Sequence, residues 1–143
     1  MKTNRIKVTI IGKVPAKASC FKVFYNKKTG KPFVKATDVC DQYVKDFLAQ
    51  VTSIVTNAFM HKERLAIIID WYADSYRQDI DSPAKIIFDC LHKYTKKIIA
   101  NDNQFDFYAI RRLIDKTNPR VDLTIQRITA DTKIEVVIEE VKL

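Results

Sequence analysis

At 143 residues the chain is one domain's worth of protein, long enough to bury a core, and its apolar (47%) and charged (29%) fractions are those of a globular protein in water. No apolar stretch approaches the length of a membrane span, and the opening residues lead into alternation rather than an apolar leader, so a cytoplasmic protein without a membrane segment is expected. Two glycines, Gly12 and Gly30, are too few for a glycine-rich phosphate loop, which excludes nucleotide hydrolysis of that kind.

The net charge of +8 is unevenly placed. Lys2, Arg5, Lys7, Lys13, Lys17, Lys22, Lys27, Lys28, Lys31 and Lys35 all fall within residues 1–37, which contain no Asp or Glu. A field of one sign over a quarter of the chain favours a polyanion such as DNA over a surface merely kept soluble, which mixes signs. Cys20, Cys40 and Cys90 are odd in number and lack metal-ligand spacing, so they read as reduced thiols.

Taken in order, Arg5–Ile11 alternates apolar and polar residues and predicts a strand ending at Gly12. Phe21–Tyr25 and residues 32–35 flank Asn26-Lys27-Lys28-Thr29-Gly30, a hairpin signal in which Gly30 can take positive φ. Phe21, Phe24, Tyr25 and Phe33 interleave with lysines there; they either form the inner face of the hairpin or stack on unpaired bases. Asp38 is placed to cap a helix over residues 38–60, with Val39, Tyr43, Phe47, Val51, Ile54 and Ala58 on one face. Residues 65–73 form an apolar run that predicts a buried central strand.

Ser82 is a natural N-cap and Pro83 suits a first helical position. The helix that follows would bury Ala84, Ile87, Phe88, Leu91 and Tyr94, with Lys85, Asp89, His92 and Lys96 on another face. Phe105–Ile114 reads as a strand, Thr117-Asn118-Pro119 as a turn, residues 120–129 as a strand, and residues 133–141 as a last strand after another turn. The whole predicts an α/β (α+β) domain spanning 1–143, with a mixed β-sheet and two main helices.

The chemistry concentrates in Asp79-Ile80-Asp81-Ser82-Pro83-Ala84-Lys85 and in Asp102. Residues i and i+2 of an extended segment point to one side roughly 7 Å apart, so Asp79 and Asp81 can converge on one hard cation that wants oxygen ligands. They precede a helix N-terminus, where phosphate oxygens are welcome. Asp102 would add an oxygen ligand or orient water, and Lys85 would contact the phosphate or the leaving oxygen. The plainer readings are that Asp81 or Ser82 caps the helix and that Lys85 pairs with Asp89 at i, i+4. A helix continuous to Ala100 would put Asp102 at the wrong end; a site within one chain needs the helix to stop near Tyr94–Lys96 and the chain to return. His61 and His92 lack partners at zinc spacing, and no Ser-His-Asp or Cys-His signature is present.

These residues resemble the RusA family of Holliday junction resolvases, whose pattern is Asp-x-Asp-Asn-x-x-Lys, Asp-Ala-Leu on the helix, then Asp-Asp-x-Gln-Val before a strand. The chain offers Asp79 through Lys85, then Asp89-Cys90-Leu91, then Asn101-Asp102-Asn103-Gln104-Phe105. Upstream, Ile10-Ile11-Gly12-Lys13-Val14-Pro15-Ala16-Lys17 is similar to the family's opening. The resemblance implies a homodimer that cuts four-way DNA junctions with Mg²⁺ by paired symmetric nicks. It makes Asp79, Asp81 and Asp102 the metal ligands and Lys85 the catalytic lysine, while Lys13, Lys17, Lys22, Lys27, Lys28, Lys31 and Lys35 would bind DNA phosphates. Ser82 replaces the family's Asn and Asn101 its first Asp, so a DNA-binding protein with a decayed metal site is the alternative.

Overall fold

The computed structural model describes residues 3–142. Its strands are β1 (Arg5–Ile11), β2 (Phe21–Tyr25), β3 (Pro32–Ala36), β4 (Arg64–Ala73), β5 (Phe105–Ile114) and β6 (Arg120–Ile128). Its helices are α1 (Lys17–Cys20), α2 (Asp38–Gln50) and α3 (Ala84–His92). Four strands form a mixed sheet in the order β1-β6-β4-β5, antiparallel except for the β4–β5 pair, while β2 and β3 form a separate hairpin. The α+β class and the two main helices are as the sequence predicts. Among the described residues no helix is long and apolar enough to cross a membrane.

Alternation builds the core. Ile6 and Ile10 of β1, Leu65, Ile67, Ile69 and Trp71 of β4, and Val121, Leu123 and Ile125 of β6 all face one side of the sheet and are buried. Tyr43, Val44 and Phe47 of α2 and Ile86, Ile87, Cys90 and Leu91 of α3 join them in a single cluster. Phe88 links α3 to β5 through Phe105 and Tyr108, with ring centroids 5.5 and 5.7 Å away. Each fully buried aliphatic side chain contributes about 1.5–3 kcal/mol.

Five sequence expectations are corrected. The helix expected over 38–60 stops at Gln50, because Val51 turns extended (φ −73°, ψ 119°); there the Gln50 side chain bridges to β1, its Oε1 accepting from Ile11 N–H (2.7 Å) and its Nε2 donating to the Ile11 carbonyl (2.8 Å). Beyond it Asn57 takes φ +60°, a left-handed conformation outside any helix, and donates its N–H to the Lys97 carbonyl. Thr37, not Asp38, is the N-cap of α2, its hydroxyl accepting from Cys40 N–H. Ser82 does not cap α3, whose N-cap position is Pro83, and α3 ends at His92, so Tyr94 and Lys96 lie outside the helix. Residues 133–141 form no strand: a hairpin after the 129–132 turn would need a free edge of β6, and β1 and β4 occupy both.

Gln104 ties together the loops at the start of β4 and β5. Its buried side chain accepts from Ala100 N–H (2.9 Å) and Asn101 N–H (3.0 Å) and donates to the His61 carbonyl (2.6 Å). Gln104→Ala strands those buried groups and is expected to destabilise the fold by about 2–3 kcal/mol, read from urea unfolding midpoints. Cys20, Cys40 and Cys90 are free and buried; burial pushes the Cys20 thiol up to about 12 and raises Cys90 as well. The native protein is therefore expected not to react with a disulfide reagent at pH 8, and to titrate three thiols only after denaturation.

Candidate functional site

The parallel β4–β5 pair decides where the candidate residues lie. The chain leaves β4 at Ala73, whose neighbour in the ladder is Ile114, and must enter β5 at Phe105, beside Leu65. The crossover through α3 covers that distance, about 30 Å for a ten-residue strand. Residues 74–83 therefore sit at the far end of β4, and residues 100–104 at its near end.

At the far end Asp79 and Asp81 are exposed and open into a cavity of about 520 Å³ shared with Ala16, Lys17, Ala18, Arg77, Gln78 and Ser82. The loop is held by a small polar network. Ser82 Oγ accepts from Lys17 N–H (3.1 Å) and donates to Gln78 Oε1 (2.9 Å), while Gln78 Nε2 donates to the Val14 carbonyl (3.2 Å). Arg112, on β5 beside Trp71, donates to the Gln78 carbonyl and lies over the rings of Trp71 and Tyr76, 5.5 and 5.2 Å from their centroids. Ser82, placed in the sequence as a helix cap, instead stitches the 13–19 segment to the carboxylate loop. The side chains of Asp79 and Asp81 have no hydrogen-bond or ion-pair partner among the described residues. Two partnerless carboxylates with open access suit a hydrated Mg²⁺, which keeps several waters beside one or two carboxylates.

Asp102 lies at the near end. It opens a 3₁₀ turn (Asp102–Gln104) capped by Asn101, whose side chain accepts from Asn103 N–H (3.0 Å), with Gln104 completing a capping box. The Asn101-x-x-Gln104 spacing therefore serves the local backbone. α3 stops early enough for a return, but no return follows: Ile98 and Ile99 N–H both bond the Leu91 carbonyl, and Phe59 bridges Ile99. The chain stays at the C-terminal end of α3. Among the described residues, no group of three or more His, Cys, Asp or Glu side chains is gathered for a metal ion. Asn101 and Asn103 line a different cavity, of about 740 Å³, with His61, Lys62 and Arg64.

Lys85 takes the plainer of its two readings. Asp89, itself buried, is held between the exposed Lys85 Nζ (3.3 Å) and Lys93 Nζ (3.1 Å), one helical turn away on either side. The cation brought to the carboxylate cavity is Lys17, with Arg77 beside it. Lys13 pairs with Asp74 (2.8 Å), and that contact holds the Asp74 carboxyl below its ordinary range. Lys22 and Lys35 face each other across the hairpin, and Lys27, Lys28 and Lys31 surround its turn, where Gly30 takes φ +69°. Phe24 and Phe33 stack at 5.9 Å on the Lys22–Lys35 face and stay largely exposed, so they are not core.

Arg77, Gln78 and Arg112 escaped the sequence reading. Arg77 and Gln78 stand next to Asp79 but belong to no spacing rule, and Arg112 reaches the loop only through the β4–β5 register. If Asp79 and Asp81 hold an ion without Asp102, Mn²⁺ binding by calorimetry is expected to be lost in Asp81→Asn and retained in Asp102→Asn. Equal losses in both variants would show that Asp102 belongs to the site.

No family model matches the chain, and no curated protein matches it either.

Proposed function

We propose that the chain is a Mg²⁺-dependent, structure-specific endonuclease of branched DNA that works as a homodimer. One observation carries the reading: two partnerless carboxylates, Asp79 and Asp81, share a cavity with Lys17 and Arg77 beside a basic hairpin. The resemblance to the RusA family supports the same reading through the Asp79-x-Asp81 pair, its position before a helix and the basic opening segment.

Asp79 and Asp81 would hold the ion, which when bound would activate water and offset charge developing on the phosphate. Lys17 and Arg77 would fix the DNA backbone against the carboxylates, and their charges would offset the repulsion between phosphate and aspartate. Lys27, Lys28 and Lys31 would bind phosphates further along the duplex, and Phe24 with Phe33 would offer a face to unpaired bases at the branch. Asp102 of the same chain is remote, so a third carboxylate would have to come from the second protomer.

The alternative, a DNA-binding protein without catalysis, is favoured by three observations. Asp102 is at the opposite end of β4, Asn101 is consumed by a capping box, and Lys85 is engaged by Asp89.

Incubation with a labelled four-way junction in Mg²⁺ decides between them. Paired symmetric nicks that fall at least about 100-fold in Asp81→Asn, with junction binding kept, are the expected result. Salt-dependent binding by both proteins with no nicks under Mg²⁺ or Mn²⁺ would establish the non-catalytic reading.

A further inference from the structure

The β2–β3 hairpin exposes apolar side chains on both faces. Val23 and Val34 are 57% and 68% exposed on one, and Phe24 and Phe33 are 42% and 46% exposed on the other. Two strands alone are marginal in water, and contiguous exposed apolar surface of this kind marks a contact site. Among the described residues no other strand pairs with either outer edge of the hairpin.

The segment 133–141 has the complementary pattern. It is rich in β-branched residues and exposed (Ile138 is 91% exposed), pairs with no strand among the described residues, and shares a pocket with Ala66, Ile68 and Thr124 of its own sheet only through Lys133 and Ile134. In an extended conformation Ile134, Val136 and Ile138 point to one side with Glu140 at its end, and Glu135 and Glu139 point to the other, flanking Val137, with Lys133 and Val141 at the ends. On the hairpin Val23 and Val34 share one face and Lys22 and Lys35 the other. A strand laid along a hairpin edge would set Ile134, Val136 and Ile138 beside Val23 and Val34, and Glu135, Val137 and Glu139 beside the face that carries Lys22, Phe24, Phe33 and Lys35. The hairpin and its turn carry no acid, while residues 133–141 hold Glu135, Glu139 and Glu140 against Lys133.

The chain's own segment is badly placed to supply that strand. It leaves β6 after Ile128, opposite Arg64 at the near end of β4, whereas the hairpin follows from Gly12, which bonds Pro119 at the far end. Crossing the sheet would use about 30 Å, the whole extended length of nine residues.

We propose that residues 133–141 of one copy add as a third strand to the β2–β3 hairpin of a second copy, and that the exchange is reciprocal. Two equivalent contacts related by a two-fold axis close the assembly as a dimer. The strand enters at the backbone edge, leaving Lys27, Lys28 and Lys31 at the turn free for DNA. The inference rests on the homodimer of the proposed function and names its contact; a dimer that survives truncation sinks the contact alone, and a truncation-sensitive dimer that leaves junctions uncut sinks the nuclease alone.

Sedimentation of the full chain is expected to give a dimer, and the chain stopped after Thr132 a folded monomer. Lys22→Glu/Lys35→Glu and Glu135→Lys/Glu139→Lys should each weaken the dimer about tenfold or more. An equimolar mixture of the two should restore it, because each hairpin then meets a segment of opposite charge. A full chain that is monomeric at every concentration, a dimer that survives truncation, or a mixture no tighter than its components would overturn the proposal.

Discussion

A parallel strand pair at one side of the sheet governs the placement of every chemical group in this protein. Antiparallel neighbours can be joined by a tight turn, but β4 and β5 run the same way, so the chain must travel back through α3 before β5 begins. Residues on either side of that crossover are separated by the length of a strand. Asp79 and Asp81 precede it, and Asp102 follows it. Proximity in sequence becomes distance in space.

That geometry explains what was legible and what was not. Arg5–Ile11 and Phe105–Ile114 were readable because half-buried strands alternate with period two, and the hairpin because its turn residues have few other uses. The end of α2 was not, since Gln50 is a good helix former and the apolar periodicity runs on past Val51, where the backbone turns extended. Residues 133–141 look like a strand by composition, but pairing depends on a free neighbour, which local sequence does not record. In the same way Asn101-x-x-Gln104 is chemically fit for a site motif, and the capping box it forms is visible only with the backbone in place.

The candidate site divides along the same line. The Asp79-x-Asp81 pair was read from an extended backbone, yet residues 80–83 form a turn in which Ser82 N–H donates to the Asp79 carbonyl, and the two carboxylates meet only as lining of one cavity. The partners of the pair were not legible. Lys17 reaches the cavity from sixty residues upstream because Ser82 holds its backbone, and Arg112 stabilises the loop from the neighbouring strand. Lys85, at the right spacing for a catalytic lysine, is drawn instead to Asp89 one helical turn away. A buried carboxylate one turn away outweighed a motif position.

The position of β6 also bears on how the chain is made. Among the described residues β1 pairs with β6 alone, and Arg5 lies opposite Gln126. During synthesis β1 must therefore wait for its partner until residues 120–128 have been made, and β4 waits for one of its two edges as well. Sheet closure is a late, long-range event of high contact order, and the basic, apolar opening segment stays available to other molecules throughout synthesis.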